Sequence, residues 1–245
     1  MTAVPVRRAR PLLGTIVEIA AWGGSVESAF RVVEALQARL SFHDPASELS
    51  TLNRLAHRRA VAVGSDLWRV LKAALQLAAQ SDGAFDAAVD GTFRDIELLP
   101  GRRVRFARRM RVDLGGIAKG YCVDRAVAGL RRGGARAGLV NAGGDLRAFG
   151  PRSFPVALRH PASPSHTLAW RPLRNAALAT SAVYDEAAPA RWAGGSRLER
   201  GVSVTVKAPR AMLADALTKV VHAPRAARLL ARHRARAWVL CATTA

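Results

Sequence analysis

Two glycine pairs, Gly115–Gly116 and Gly143–Gly144, bracket a helix-length segment in RVDLGGIAKGYCVDRAVAGLRRGGARAGLVNAGGDLRAFG, residues 111–150. No other pattern limits the chain as much. Residues 112–114 read as a short strand carrying Asp113, the glycine pair ends it, and apolar spacing over 117–130 predicts a helix with Lys119 in its first turn. Strands over 139–141 and 146–149 then flank a Gly-Gly-Asp turn that ends in Asp145. A strand–turn–helix junction presents free N–H groups and the positive end of a helix dipole, which suits an anion such as a phosphate. A nearby carboxylate suits the anion's metal ion. Two familiar phosphate motifs are excluded. Lys119 precedes Gly120, the reverse of the GxxxxGK order, and residues 141–145 open a strand where a GxGxxG fingerprint would open a helix. On local grounds an anion site and a tight connection with a surface lysine both remain open.

The rest of the chain mixes helices and strands without strict alternation, which predicts α+β and not a doubly wound sheet. Strands are expected at 12–20, 154–159, 176–180, 202–206 and 237–242. The Val-Ser-Val-Thr-Val alternation at 202–206 is the clearest of them. Helices are expected at 26–40, at 47–55 with Ser47 as cap, from Ser65 as cap through Leu75, and at 213–221 and 224–234. Residues 92–104 read as loop. The length of 245 residues permits a sizeable core, and no apolar run reaches the roughly 18 residues of a membrane span. With no export signal visible, the chain as written is expected in the cytoplasm; a start further upstream would open a periplasmic placement. Cys122 and Cys241 form no metal or disulfide spacing and are expected as two buried thiols.

The net charge of +20 raises the question of nucleic acid. The arginines are scattered and lack interleaved aromatics, so they read as solvated faces and no nucleic-acid partner is expected. The 18 carboxylates are few enough to make those beside glycine pairs or in apolar segments informative. Asp215 is such a case, since its neighbours Met212, Leu213, Ala216, Leu217, Val220 and Val221 are apolar. A carboxylate there needs a partner, a hydrogen bond or a metal. Thr218 and Lys219 lie three and four residues on, in reach of the same helix face. A metal ligand and a dipole-stabilised first-turn Asp both stand open. The histidines show no zinc spacing, and no nucleophile–histidine pattern is present.

Taken in order, LGT (13–15), LSFHDPASELSTLN (40–53), GAFD (83–86), DLGGIAKGYCVD (113–124), VNAGGDL (140–146), ATS (179–181) and ADALTK (214–219) resemble the FAD:protein FMN transferase family, the ApbE-like flavin transferases. The resemblance covers most of the chain. It implies one domain over 1–245 built from two intertwined subdomains, T-fold-like, with mixed sheets, packed helices and FAD in a cleft between them. It implies magnesium-dependent transfer of FMN from FAD to a threonine of an acceptor flavoprotein, with release of AMP. The alternative is a relative that binds or hydrolyses FAD with transfer reduced or lost.

By position, the resemblance puts Leu13 and His43 against the flavin or adenine rings. Ala84, Phe85 and Asp86 line the FAD site, with Thr180 and Ser181 also at the cofactor. Asp113 and Lys119 contact its polar parts. Gly116, Asp215 and Thr218 hold the magnesium, and Asp215 and Lys219 carry the chemistry. The sequence departs from the family at two places. The histidine-rich segment before the strand at 202 is here YDEAAPARWAGGSRLERG, without histidine, and Lys219 stands where a threonine magnesium ligand is common. An ammonium has three donors and no acceptor, so it cannot ligate a cation.

Overall fold

The computed structural model describes residues 4–161, 163–182, 198 and 201–241. A hairpin opens the chain: β1 (Val6–Leu12) pairs with β2 (Thr15–Trp22). Both residues of the connecting turn, Leu13 (φ 57°) and Gly14 (φ 69°), are left-handed. That backbone matches the twist of a two-residue hairpin. The strand expected over 12–20 is therefore two strands, and the turn falls inside the LGT motif.

Helices α1 (Glu27–Leu40), α2 (Glu48–Leu55) and α3 (Ser65–Gln80) follow, with the short β3 (Val61–Ala62) between the last two. Each helix buries one stripe: Phe30, Val33 and Leu36 in α1, and Leu67, Val70, Leu71 and Ala74 in α3. Burial of such side chains stabilises by about 1.5–3 kcal/mol each before entropy is counted. Ser47 caps α2 by accepting the Ser50 N–H at 2.9 Å. At α3 the cap position belongs to Gly64 and Ser65 is the first helical residue, so the helix starts one position earlier than the sequence suggests.

Residues 92–104, expected as loop, contain a short 3-10 turn (Phe93–Asp95), β4 (Ile96–Leu99) and the start of β5 (Arg103–Phe106). Val104 and Phe106 are buried while Arg103 and Arg105 point out. The alternation was there but spans only four residues. These strands form a small sheet in the order β3-β5-β4. The strand expected at 112–114 is a single bridge, Ala88 to Val112.

The remaining elements are α4 (Ala118–Arg132), β6 (Ala137–Ala142), β7 (Asp145–Phe149), β8 (Phe154–His160), β9 (Ser163–Leu173), β10 (Ala177–Ala182), β11 (Val202–Ala208), α5 (Ala211–Thr218), α6 (Ala226–Arg232) and β12 (Arg236–Cys241). The main sheet runs β1-β2-β6-β7-β10-β11-β12, with every neighbouring pair antiparallel. Strand alternation gives it two apolar faces. Val140, Phe149, Ala179, Val204 and Val206 join the large core beneath the helices, while Leu146, Ala148 and Leu178 pack under the β8–β9 hairpin on the other side. Cys122 is buried as expected, but Cys241 is exposed at the end of the edge strand β12. No described helix is long and apolar enough to cross a membrane.

Candidate active site

Helices α4 and α5 meet at a glycine. A Cβ on Gly120 would lie 2.8 Å from Met212 Cα and closer still to the Ala211 carbonyl, so only glycine admits this approach. Asp124, one turn further along α4, accepts the Ala211 N–H at 2.9 Å and the Met212 N–H at 3.1 Å, and pairs with Arg147 of β7 at 2.6 Å. It thereby satisfies two free donors at the start of α5 and adds a negative charge at the positive dipole end. Docked this way, α5 directs Asp215 back at α4. The Asp215 carboxylate is 1% exposed and its Oδ2 accepts the Gly120 N–H at 3.2 Å.

Asp215 Oδ1 belongs to Lys219. The ammonium Nζ lies 2.7 Å from Oδ1, 3.1 Å from the Asp215 carbonyl oxygen, 3.0 Å from Thr218 Oγ1 and 3.2 Å from Ser181 Oγ. The hydroxyls hold one another, with Thr218 donating to the Asp215 carbonyl at 2.7 Å and lying 2.8 Å from Ser181 Oγ. Gly116 roofs the lysine stem. A Cβ there would stand 3.5 Å from Lys219 Cε and 3.4 Å from the Phe85 ring.

A second pair adjoins the first. Asp145 opens β7 on its helix-facing side, 3% exposed, and Lys119 Nζ reaches within 3.4 Å of its Oδ2. That geometry is an ion pair and not a hydrogen bond, so the buried Oδ2 has no hydrogen-bond donor. Burial, then the charge of Asp215, push the Asp145 carboxyl up to about 7, against the pull of Lys119 and Lys219. Burial also opposes the charge on Lys119, but Asp145 and Asp215 outweigh it and hold the ammonium above its usual range. Lys219 is 12% exposed at its side chain and Lys119 39%, so Lys119 is the cation with room to turn toward an incoming anion.

The structure brings Gly116, Lys119, Asp215, Thr218, Lys219, Ser181 and the Phe85 ring together. The other expected residues make their contacts outside this cluster. Thr180 alternates to the opposite sheet face from Ser181 and bonds Thr205 at 2.9 Å. It lines a cleft of about 770 Å³ beside β8, together with Gly143, Gly144 and Arg159. Both Asp86 oxygens are engaged by backbone, taking the Ala88 and Phe93 N–H groups at 2.9 Å each. Burial raises the Asp86 carboxyl above its ordinary range against those two bonds. Asp113 closes the glycine turn, accepting the Gly115 N–H at 2.8 Å. Ala84 is half-buried next to Phe85. Leu13 is half-buried in the first hairpin turn, its N–H donating to Gln37 at 2.5 Å, and His43 is exposed, edge-on to Phe42. The hydrogen bonds and ion pairs of the lysine–aspartate cluster, among the described residues, do not extend to Leu13 or His43. The segment without histidine lies almost wholly outside the described residues.

Asp124 and Asn53 have roles that the sequence did not single out, and Asp145 was marked only as the end of its glycine turn. Asp124 caps α5. Asp145 completes the charge cluster, and its place after a glycine pair was the signal. Asn53 clamps the segment ahead of the glycine turn, donating to the Val112 carbonyl at 3.0 Å and accepting its N–H at 2.9 Å.

Of the expected magnesium set, Asp215 and Thr218 offer their oxygens together, but to the Lys219 ammonium, whose stem passes beside Gly116. A divalent ion takes oxygens at about 2.0–2.6 Å and cannot share them with a lysine. With Lys219 in place, these residues do not fit a divalent ion. Among the described residues, no group of three or more His, Cys, Asp or Glu side chains could hold one elsewhere.

The sequence model of the ApbE family matches residues 13–94 and 90–239. A FAD:protein FMN transferase of Treponema pallidum (strain Nichols) is 26% identical over 185 residues, 58% of this chain and 51% of the relative. The chain thus spans about half the length of that curated relative. The solved flavinyl transferase ApbE of Pseudomonas stutzeri in its apo form aligns with a TM-score of 0.82 at 20% identity, over 100% of this chain and 93% of that one. Flavin transferase ApbE from Vibrio cholerae aligns at 0.81 and 21%, over 98% and 94%. These structures share the fold described above.

Proposed function

The chain belongs to the ApbE family, and on that premise we propose that it is a FAD:protein FMN transferase acting on a threonine of an acceptor protein. One observation carries the reading: two buried aspartates and two lysines, Asp145–Lys119 and Asp215–Lys219, converge where the glycine turn starts α4. In the reaction the threonine hydroxyl oxygen forms a bond to the phosphorus on the FMN side of the FAD pyrophosphate. The bond from that phosphorus to the bridging oxygen breaks, AMP leaves with the oxygen, and the hydroxyl proton passes to solvent. No oxidant or reductant is needed. Water in place of the hydroxyl would yield free FMN and AMP.

The chain's groups suit such a displacement. The positive end of the α4 dipole lies toward the anion, while the Ala118 and Gly120 N–H groups are already bonded to Leu114 and Asp215. Lys119 can leave Asp145 to meet a phosphate oxygen, a charge-assisted contact of about 1.5–3 kcal/mol. Lys219 contributes fixed positive charge in a dry site, where it acts strongly on charge developing at the pyrophosphate. The magnesium of the family resemblance has no step here, because its ligands are held by Lys219.

Incubation with FAD and an acceptor domain that carries threonine-linked FMN in its own host tests the reading. The expected product is an acceptor band fluorescent after denaturing electrophoresis, absent when the threonine is changed to valine. Intact FAD with an unlabelled acceptor would refute it, and FMN and AMP without labelling would identify a hydrolase.

A further inference from the structure

We infer that Lys219 is the resident cation of this site: its ammonium fills an oxygen cage built for a hard cation and takes that cation's place permanently. The inference rests on the transferase reading for its meaning, but its geometry is independent of that reading.

The donor set decides the argument. One carboxylate oxygen, one main-chain carbonyl and two hydroxyls surround Nζ at 2.7 to 3.2 Å. This is the ligand chemistry of a calcium or magnesium site, and it is more oxygen than three ammonium protons need. Three of the donors also bind one another through Thr218, so the cage is prearranged and not gathered by the lysine alone. The Asp215 carbonyl lies near the C-terminal end of α5, where the helix dipole is negative and favours a cation. Gly116 closes the roof at a distance a side chain would narrow, leaving the lysine stem as the filling. A tethered ammonium differs from a bound ion in that it cannot be chelated away and carries one charge in place of two. The neighbouring Lys119 supplies a second positive charge on the solvent side, so that the two lysines together match a divalent ion in charge.

Manganese is the probe that tests this. The full-length protein is titrated with Mn²⁺ and the free ion followed by electron paramagnetic resonance, with calorimetry in parallel. Wild type is expected to show no Asp215-dependent site. Lys219→Thr is expected to gain one, at least tenfold tighter than anything in wild type, and to lose it again in the Lys219→Thr/Asp215→Asn double variant. One Mn²⁺ bound by wild type as tightly as by Lys219→Thr, and lost in Asp215→Asn, would overturn the inference. So would a folded Lys219→Thr that gains no site. If Lys219→Thr fails to fold, the wild-type and Asp215→Asn titrations decide alone. Flavin transfer is not the readout, so an inactive but metal-excluding wild type would refute the proposed reaction and leave the cage standing.

Discussion

Substituting Gly120 by alanine sets two effects of opposite sign against each other. Alanine in place of glycine inside a helix normally stabilises by about 0.5–1 kcal/mol. Here the added Cβ would sit 2.8 Å from Met212 Cα and against the Ala211 carbonyl, backbone atoms that cannot rotate away. Ordinary contact requires α5 to retreat by about 1 Å, a strain of about 1–3 kcal/mol in a packed core. The same retreat stretches the Asp124 bonds to Ala211 and Met212, now 2.9 and 3.1 Å, beyond hydrogen-bond length. Losing that cap costs about 1 kcal/mol more. The unfavourable effects win, and Gly120→Ala should lose about 1–3 kcal/mol. For a chain this long that is a fall of roughly 2–12 °C in Tm. Urea unfolding followed by circular dichroism measures it. A variant as stable as wild type, or more so, would show that the α4–α5 crossing does not constrain the chain as argued.

Asp145 predicts a pH signature. Its carboxyl is held at about 7 by burial, against about 3.9 in an unfolded chain. The fold therefore binds this proton more tightly than the unfolded chain does. The contribution is complete below about pH 4 and is lost as pH rises to about 7. Asp145→Asn should flatten the decline in urea midpoint between pH 4.5 and 7.5, and parallel wild-type and variant curves would contradict the assignment. Asp124→Ala removes the α5 cap and leaves Arg147 half-buried without its partner. A loss of about 2–4 kcal/mol is expected by urea unfolding, with Asp124→Asn losing less. Lys119→Gln should weaken FAD binding about tenfold or more in equilibrium dialysis; unchanged affinity would remove Lys119 from the phosphate.

Much of this arrangement was legible in the residues because it depends on short-range patterns. The Val-Ser-Val-Thr-Val strand, the α1 stripe and the Gly-Gly-Asp turn each follow from periodicity or backbone freedom, and each is where it was expected. The β4–β5 hairpin was missed because each strand spans only four residues, too few for the alternation of Val104 and Phe106 with Arg103 and Arg105 in β5, or the apolar Ile96, Leu98 and Leu99 in β4, to stand out. The ATS segment marked the right strand, but alternation along β10 sends Ser181 and Thr180 to opposite faces, and the inward face depends on which layer covers each side. Asp86 and Asp113 are expected at the cofactor by resemblance; both Asp86 oxygens and Asp113 Oδ1 accept nearby backbone N–H groups, which periodicity does not reveal. Lys219 was visible as a misfit beside Asp215. Only the docking of α5 by Gly120 and Asp124, together with Ser181 from β10, shows that its ammonium sits inside the oxygen set it would otherwise have disrupted.

The most direct measurement counts products. Protein, FAD and acceptor domain are incubated with a chelator present, and AMP by chromatography is compared with covalent flavin on the acceptor by intact mass. The account predicts one AMP for each FMN attached, with both falling together at least a hundredfold in Asp215→Asn. AMP released without attached flavin, or attachment that survives in Asp215→Asn, would contradict it.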